Sequence, residues 1–226
     1  MIDSSKLTNW YDFQAPFYRL WRNNYGHFLV RHVASVLREG GARRVLDAGC
    51  GTGLFTIGLA KLHAEWRIEG IDASAGMLAV ARRQARRIGV DNIAFYQGDV
   101  TAVACPAGAY DALVAAGLFP NLNDWSAALR EFHRVLASSG RLIIVEFDRT
   151  SMTGAARLFF RLMIFGYKAV SYFLRRFRFA DEWNLQASTV SEVRLEQELR
   201  AAGFTHQLEL RQRGHLILQL TKIGGA

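Results

Sequence analysis

The sequence contains few cysteines and prolines, and it has no stretch that resembles a linker. Only two cysteines, Cys50 and Cys105, and three prolines occur among 226 residues. The first residues, MIDSSKLTNWYDF, lack a basic region followed by an apolar one, which argues against secretion. We therefore expect a cytoplasmic protein, which could also contact a membrane peripherally, and whose two thiols need not pair.

No repeat, low-complexity tract or boundary divides the chain, and half of its residues are hydrophobic. A chain of this length can bury one substantial core, so we predict one domain over residues 1–226. The formal net charge of +8 suggests an anionic partner: nucleic acid, an acidic lipid surface or an anionic small molecule. Arg82, Arg83, Arg86 and Arg87 share one side of a predicted helix, which we interpret as a solvated face. The six histidines form no i, i+4 pair with a nearby acid, so no metal site is predicted.

Short apolar runs alternate with helical patterns from Arg43 onward. RVLDAG, WRIEGID, NIAFYQGD, YDALVAAG and RLIIVEF have the composition of strands, and the segments LFTIGLAKLH, AGMLAVARRQARRIG, DWSAALREFHRVLASSG and SEVRLEQELRAAGF that of helices. This alternation predicts an α/β fold with a parallel sheet covered on both faces. The final runs, THQLELRQ and GHLILQLTK, are separated by a short turn and predict an antiparallel hairpin.

Three glycines, Gly49, Gly51 and Gly53, stand between the first strand and the first helix. Glycine there lets a ligand approach the backbone at the carboxyl end of a parallel strand. The dinucleotide pattern G-x-G-x-x-G would need glycine where this chain has Leu54. Asp47 precedes the loop, where a carboxylate would repel a pyrophosphate but could bind a ligand's ammonium group. Both features argue against a nicotinamide-dependent oxidoreductase.

Two further acids end the second and third strands. Asp72 can accept hydrogen bonds from both hydroxyls of a ribose, and Asp99 can accept one from an exocyclic adenine amine. An isolated aspartate is commonly a helix cap or turn acceptor. Three at successive strand ends favour a ligand with an amine, a ribose and an adenine, and without phosphate.

These motifs resemble those of the class I S-adenosylmethionine-dependent methyltransferases, near the ubiquinone/menaquinone C-methyltransferases. The resemblance extends from about Trp10 to Gly203 and is carried by VLDAGCGTG, IDASAGML, GDV, YDALVAAGLFPNLNDW and EFHRVLASSGRLIIVEF. It implies a Rossmann-like fold, a seven-stranded, mostly parallel sheet with the antiparallel hairpin, and S-adenosyl-L-methionine as cofactor. The cofactor-binding residues that we predict are Tyr11, Tyr18, Asp47, Gly49, Cys50, Gly51, Gly53, Asp72, Ala73, Met77, Asp99, Val100, Ala115 and Leu118.

The resemblance also suggests a division of the single domain into four parts. Tyr11-Asp12-Phe13-Gln14-Ala15-Pro16-Phe17-Tyr18 is similar to the family's Y-D-x-x-A-x-x-Y, a cap that closes over cofactor and substrate. For Phe13 and Phe17 we favour packing on the sheet instead. The predicted parts are a helical cap over 1–40, a cofactor-binding core over 43–148, a helical lid over 151–190, and a C-terminal helix and hairpin over 191–226.

The lid contains RLFFRLMIFGYKAVSYFLRRFRF, which has eight aromatic residues, six basic residues and no acid. At about 100° per residue, its cations fall largely on one side of a helix. Charges recur too often for a membrane span of about 18 apolar residues. Three interpretations stay open: a helix lying on anionic lipid, a substrate lid lined by Phe159, Met163, Tyr167 and Tyr172, or a helix packed on the sheet with solvated cations.

The predicted activity is SN2 methyl transfer to a hydrophobic or amphipathic small molecule, such as a lipid headgroup amine, a quinone precursor or a polyketide- or terpenoid-like metabolite. The candidate bases are Tyr18, His27 and His215, whereas His133, in the middle of a predicted helix, is interpreted as structural or exposed. One alternative is a noncatalytic S-adenosylmethionine-binding partner subunit. An RNA methyltransferase is less favoured, because residues 117–122, GLFPNL, lack the Asn/Asp-Pro-Pro-aromatic motif typical of enzymes that methylate base amines in nucleic acid.

Overall fold

The computed structural model describes residues 11–12, 27–148, 154, 158, 162, 191–212 and 214–223. Tyr18 and the predicted lid residues Phe159, Met163, Tyr167 and Tyr172 lie outside the described residues. The described elements are α1 (27–39), β1 (Arg44–Ala48), α2 (Leu54–Leu62), β2 (Arg67–Asp72), α3 (Ala75–Ile88), β3 (Ile93–Gln97), β4 (Tyr110–Ala116), a 3₁₀ turn (Phe119–Asn121), α4 (Trp125–Val135), β5 (Leu136–Phe147), α5 (Glu192–Ala201), β6 (Phe204–Gln212) and β7 (His215–Lys222).

The seven strands form one sheet in the order β3-β2-β1-β4-β5-β7-β6. Strands β1 to β5 pair in parallel, and β7 is antiparallel to both β5 and β6. The predicted fold class is therefore confirmed, including the antiparallel hairpin at the end of the chain. Because the chain reverses its direction of winding between β1 and β4, the ends of these strands border a crevice where α/β sheets bind ligands.

The sheet is buried on both faces because successive side chains of its central strands point to opposite sides. Leu46, Leu113 and Ile144 face the side that α4 and α5 cover. Val45, Ala112, Val114, Ile143 and Val145 face the side that α1 and α2 cover. The two apolar layers hold the strand ends, and hence the loops after them, in fixed positions.

The prediction of a helix over DWSAALREFHRVLASSG is wrong in its last five residues. The sequence pattern extended it to Gly140, but α4 ends at Val135 and β5 begins at Leu136, which pairs with Tyr110. The register shifts between Tyr110 and Ala112, and Ser139 has a φ of 60°, in the left-handed region. Pairing with β4 thus overrides the helical pattern, and the two serines and the glycine accommodate the bend.

The exposure of the arginine cluster agrees with its interpretation as a solvated helix face. Arg82, Arg83, Arg86 and Arg87 are exposed on α3, and the Arg82 guanidinium donates to the carbonyl of Phe95 at 2.8 Å.

Among the residues that the structure describes, no helix is both long and apolar enough to cross a bilayer.

Arg211 contacts residues on both sides of the segment 149–190: Asp148, which follows β5, and Glu192, the first residue of α5. Arg211 Nη1 lies 2.9 Å from Glu192 Oε1 and 3.7 Å from Asp148 Oδ2, and its Nε donates to Glu209 Oε1 at 2.7 Å. The residues that flank the segment 149–190 are therefore both held against the same β hairpin.

Candidate active site

A cavity of about 470 Å³ opens at the carboxyl ends of the parallel strands. One side, here named the loop wall, consists of residues 49–52, 72–74 and 98–101 with Leu54 and Met77. The opposite side, here named the turn wall, consists of residues 116–118, 121–124 and 127. Tyr11 also lines the cavity. The predicted cofactor-binding residues that line it are Tyr11, Gly49, Cys50, Gly51, Asp72, Ala73, Met77, Asp99, Val100 and Leu118.

Asp72 is fixed at the centre of the loop wall by two backbone amides. The amide of Gly51 donates to its Oδ2 and the amide of Ser74 to its Oδ1, both at 2.8 Å. Burial raises the pKa of Asp72, the two hydrogen bonds counteract that shift, and the nearby carboxylate of Asp12 adds to it. Each carboxylate oxygen keeps a second lone pair, so this geometry allows Asp72 to accept one ribose hydroxyl on each oxygen.

Asp99 is held at the end of the next loop in a similar manner. Its Oδ1 accepts hydrogen bonds from both the amide and the hydroxyl of Thr101, each at 2.8 Å. In the described part of the chain Oδ2 has no hydrogen-bond partner. That oxygen can accept a hydrogen bond from an amine on an adenine ring.

Three predicted cofactor residues do not line the cavity. Asp47 is 2% exposed, and its Oδ2 accepts hydrogen bonds from the amide and hydroxyl of Thr56. Gly53, the N-cap of α2, has a φ of 81°, and a Cβ there would lie 3.0 Å from Ile57 Cδ1. Ala115 is buried in the sheet, while the next residues, Ala116 and Gly117, line the cavity. Asp47 and Gly53 thus support the loop from beneath.

The described candidate bases are not among the residues that line the cavity. His27 is exposed at the start of the described part of α1. His215 begins β7, where its ring packs edge-on against Phe147 with 5.9 Å between the ring centroids. His133 packs edge-on against Phe204, as expected for a structural residue.

Residues Tyr11 and Asp12 connect the two walls. The Tyr11 hydroxyl donates to Asn121 Oδ1 at 2.9 Å. Asp12 Oδ1 accepts a hydrogen bond from the amide of Gly76 at 2.8 Å, in the first turn of α3, and a short one from the hydroxyl of Ser74. Ser74 is the N-cap of α3 and also donates its amide to Asp72, so a single residue contacts both acids.

The turn wall is fixed from below by Glu146, near the end of β5. Glu146 is 2% exposed, and its Oε1 accepts hydrogen bonds from the amides of Leu118 and Phe119 at 3.0 and 3.1 Å. Leu118 reaches the glycine loop, because a Cβ on Gly49 would lie only 2.8 Å from Leu118 Cδ1. The two walls therefore touch at this point.

The charge of the cavity is opposite to that of the whole chain. Within the described part, its lining contains three aspartates, Asp72, Asp99 and Asp124, and no lysine, arginine or histidine. A lining of this kind disfavours a pyrophosphate and suits a ligand with positively charged groups. The carboxylates, the glycine loop and the apolar residues Leu54, Met77 and Val100 together fit an adenosine that carries an amino group and a sulfonium.

Cys50 also lines the cavity, but as a neutral thiol. Burial raises the pKa of Cys50, and the neighbouring carboxylates of Asp47 and Asp72 raise it further. Because the thiolate is the nucleophilic form of cysteine, the geometry gives Cys50 a packing role. Cys50 and Cys105 are both free thiols, in agreement with the expectation that they need not pair.

No group of metal-binding side chains occurs within the described ranges.

Sequence reasoning missed four residues that shape the site: Ser74, Asn121, Asp124 and Glu146. Ser74 and Asp124 are N-caps; Ser74 immediately precedes one predicted helix and Asp124 is the first residue of another, so the capping pattern could have identified them. Asn121 and Glu146 act through contacts with residues far away in the sequence, for which the local pattern carries no signal.

Comparisons with known proteins agree with this geometry. Residues 45–140 match a family model described as a methyltransferase domain. A demethylmenaquinone methyltransferase of Thermus thermophilus is 32% identical over 184 residues, which are 80% of this chain and 82% of the relative. A demethylmenaquinone methyltransferase of Deinococcus radiodurans is 37% identical over 122 residues, or 53% of this chain and half of that protein. The solved structure of the [4+2]-cyclase SpnF shares the fold, with a TM-score of 0.74 and 20% identity over 99% of this chain and 98% of that chain.

The fold and the acidic, glycine-rich cavity define an enzyme that uses S-adenosyl-L-methionine as its cofactor and transfers the cofactor's methyl group. The chain belongs to the class I S-adenosylmethionine-dependent methyltransferases, in the branch of the quinone-type small-molecule enzymes.

Proposed function

We propose that the methyl acceptor is a reduced, prenylated quinone precursor of the demethylmenaquinone type. The observation that carries this proposal is the 32% identity to the Thermus thermophilus demethylmenaquinone methyltransferase across most of both chains. The cavity supports it, because Ala116, Leu118, Leu122 and Ala127 give the turn wall an apolar surface suited to an aromatic ring.

The bound cofactor supplies a methyl group that its sulfonium has already activated. In the proposed reaction the methyl group would pass to a ring carbon of the quinol, S-adenosylhomocysteine would be left as the thioether, and the proton of that carbon would be released to water. Asp72 and Asp99 would hold the ribose and the adenine, so that the loop wall fixes where the methyl group lies. The turn wall would hold the acceptor ring in line with it, and such positioning can contribute about 7–11 kcal/mol in favourable cases.

Two further parts of the proposal rest on the sequence alone. Residues 151–190 are proposed to cover the acceptor as a helical lid, and their basic side to contact an anionic membrane that contains the quinone. Sedimentation with vesicles of phosphatidylglycerol and phosphatidylcholine at low and high salt tests the membrane contact. Salt-sensitive binding supports it, because screening weakens interactions between exposed charges. Equal, negligible sedimentation with and without phosphatidylglycerol contradicts it.

The proposed acceptor is tested with methyl-labelled S-adenosylmethionine. The protein is incubated with chemically reduced demethylmenaquinone, and lipid and aqueous extracts are separated and counted. We expect label in the lipid extract, at the mass of the singly methylated quinone, and none with Asp72→Ala. Label in the aqueous extract alone would indicate a different acceptor class. Cofactor binding without transfer to any extract would favour the noncatalytic partner subunit.

A further inference from the structure

We infer that Glu146 is a positioning residue for methyl transfer, which sets the position of the turn wall by accepting two consecutive backbone amides. The inference deepens the proposed function. Only its test by methyl transfer rests on that function, whereas its test by hydrogen exchange needs no acceptor. Glu146 does not line the cavity, so any effect on the reaction must act through the turn that it holds.

The turn after β4 forms a concave group of amides that suits a carboxylate. Gly117 has a φ of 64°, in the left-handed region, and Leu118 follows in a right-handed helical conformation. Successive amides in such a conformation converge on one point and bind anions. Glu146 Oε1 occupies that point, 3.0 Å from the amide of Leu118 and 3.1 Å from that of Phe119.

The backbone of β5 holds the same turn from a second side. The amide of Gly117 donates to the carbonyl of Val145 at 2.8 Å, one residue before Glu146. The indole of Trp125 donates to the carbonyl of Phe119 at 2.8 Å, which fixes the other end of the turn. The side chain of Glu146 is thus the contact that connects the central amides of the turn to the sheet.

Two residues whose positions depend on this turn reach the rest of the site. Leu118 packs against Gly49 of the loop wall, and Asn121 accepts the hydrogen bond from Tyr11. A displaced turn would therefore shift the acceptor side of the cavity while Asp72, held by its own loop, keeps its place. A misplacement of about 1 Å can lower a rate on the order of 10²-fold.

Four proteins test the inference: wild type, Glu146→Gln, Glu146→Asp and Glu146→Ala. Glutamine keeps an acceptor oxygen at the same distance without the charge, whereas aspartate keeps the charge and withdraws the oxygen by one methylene group. We expect Glu146→Gln to retain kcat within about threefold, and Glu146→Asp and Glu146→Ala to lose on the order of 10²-fold. The Kd for S-adenosylhomocysteine, measured by calorimetry, should stay within about threefold in all four, because the contacts of Asp72 are retained.

Hydrogen exchange at the amides of Leu118 and Phe119 provides a readout that needs no acceptor. We expect slow exchange in wild type and Glu146→Gln, and fast exchange in Glu146→Asp and Glu146→Ala. If wild type does not methylate reduced demethylmenaquinone, the proposed acceptor fails, and exchange alone decides the inference. Equal protection in all four proteins overturns it, as does an active Glu146→Asp beside an inactive Glu146→Gln. If Glu146→Ala does not fold, the glutamine and aspartate pair still distinguishes position from charge.

Discussion

The loop wall and the turn wall of the cavity are held by different kinds of contact. In the loop wall, Ser74 fixes Asp72 and Thr101 fixes Asp99, each from two positions away, and Gly51 adds a contact to Asp72 from 21 positions away. In the turn wall, the key contacts join residues 28 positions apart, Glu146 to Leu118, and 110 positions apart, Tyr11 to Asn121. Each acid of the loop wall thus has at least one partner two positions away, whereas these contacts of the turn wall form only in the assembled tertiary structure.

Removing the central acid of the loop wall should have the largest effect. Asp72→Ala removes the acceptor for the ribose and leaves the amides of Gly51 and Ser74 without their partner. Hydrogen bonds to charged groups contribute about 1.5–3 kcal/mol each, so we expect S-adenosylhomocysteine affinity to fall on the order of 10³-fold. Calorimetry measures it, with Asp91→Ala, at an exposed position before β3, as the control. Unchanged binding would contradict the assignment of Asp72 to the cofactor.

A Cβ at Gly49 would disturb the point where the two walls touch. Gly49 has a φ of 71°, and its Cβ would lie 2.8 Å from Leu118 Cδ1. We expect Gly49→Ala to lower the free energy of unfolding by about 2–4 kcal/mol, from backbone strain and overpacking. Chemical denaturation should show that Leu118→Ala recovers about 1 kcal/mol of this loss in the double variant.

Gly51 supplies the matched control for that double-mutant cycle. Its φ is also positive, at 54°, but a Cβ there would have no neighbour within 4 Å. Gly51→Ala should therefore be strained without any coupling to Leu118→Ala. Equal coupling at Gly49 and Gly51 would show that the walls do not meet as the structure describes.

Gly76 tests whether residues 11–12 connect the walls. A Cβ on Gly76 would lie 2.8 Å from Asp12 Oδ1 and 2.9 Å from Asp12 Cα, so Gly76→Ala should displace the N-terminal segment. Cofactor affinity should fall about tenfold, or about 1.4 kcal/mol, as judged by calorimetry. The melting temperature should hold or rise, since alanine is favoured over glycine in a helix by about 1 kcal/mol.

The control is the opposite exchange, alanine to glycine, at the exposed Ala79 of the same helix. Ala79→Gly should lower the melting temperature and leave cofactor affinity unchanged. A Gly76→Ala variant that binds cofactor as wild type does would mean that Asp12 contributes nothing to the site.

A smaller effect concerns pH. Burial raises the pKa of Asp72 in the native state above its ordinary value of about 3.9, which applies in the unfolded state. At a pH between the ordinary and the raised pKa, Asp72 therefore holds a proton in the native state that it has released in the unfolded state. The contribution of Asp72 to the free energy of unfolding therefore decreases as pH rises through this window. Cofactor affinity should change in the opposite sense and increase with pH, because the ionised carboxylate is the better acceptor. Calorimetry from about pH 4 to about pH 7 tests this, and Asp72→Asn should flatten the dependence.

The loop wall was predictable because its residues follow strands that the apolar pattern reveals. The sequence pattern alone placed Asp72 and Asp99 at strand ends, and both residues line the cavity. Asp47 shows the limit of that reasoning, since its position near the loop was correct but its side chain turns beneath the loop to Thr56. The direction of a buried side chain depends on packing, which the strand pattern does not encode.

The turn wall and the end of α4 could not be predicted for a related reason. Glu146 appears in the sequence as a lone acid in an apolar strand, and only the neighbouring position of β4 reveals which amides it binds. In the same way, Leu136 continues a helical pattern in the sequence but pairs with Tyr110 in the sheet. Both results depend on contacts between strands and not on local preference.

Arg211 has a consequence for how this enzyme could be redesigned. Its contacts with Asp148 and Glu192 hold the residues that flank the segment 149–190 to the hairpin, and neither residue is among those that line the cavity with Asp72 and Asp99. A replacement segment of different length or composition could therefore be joined at the same two points without altering the cofactor loops. The arginine makes this junction a natural site for chimeras in which the segment 149–190 is exchanged and the strands and loops that line the cavity are retained.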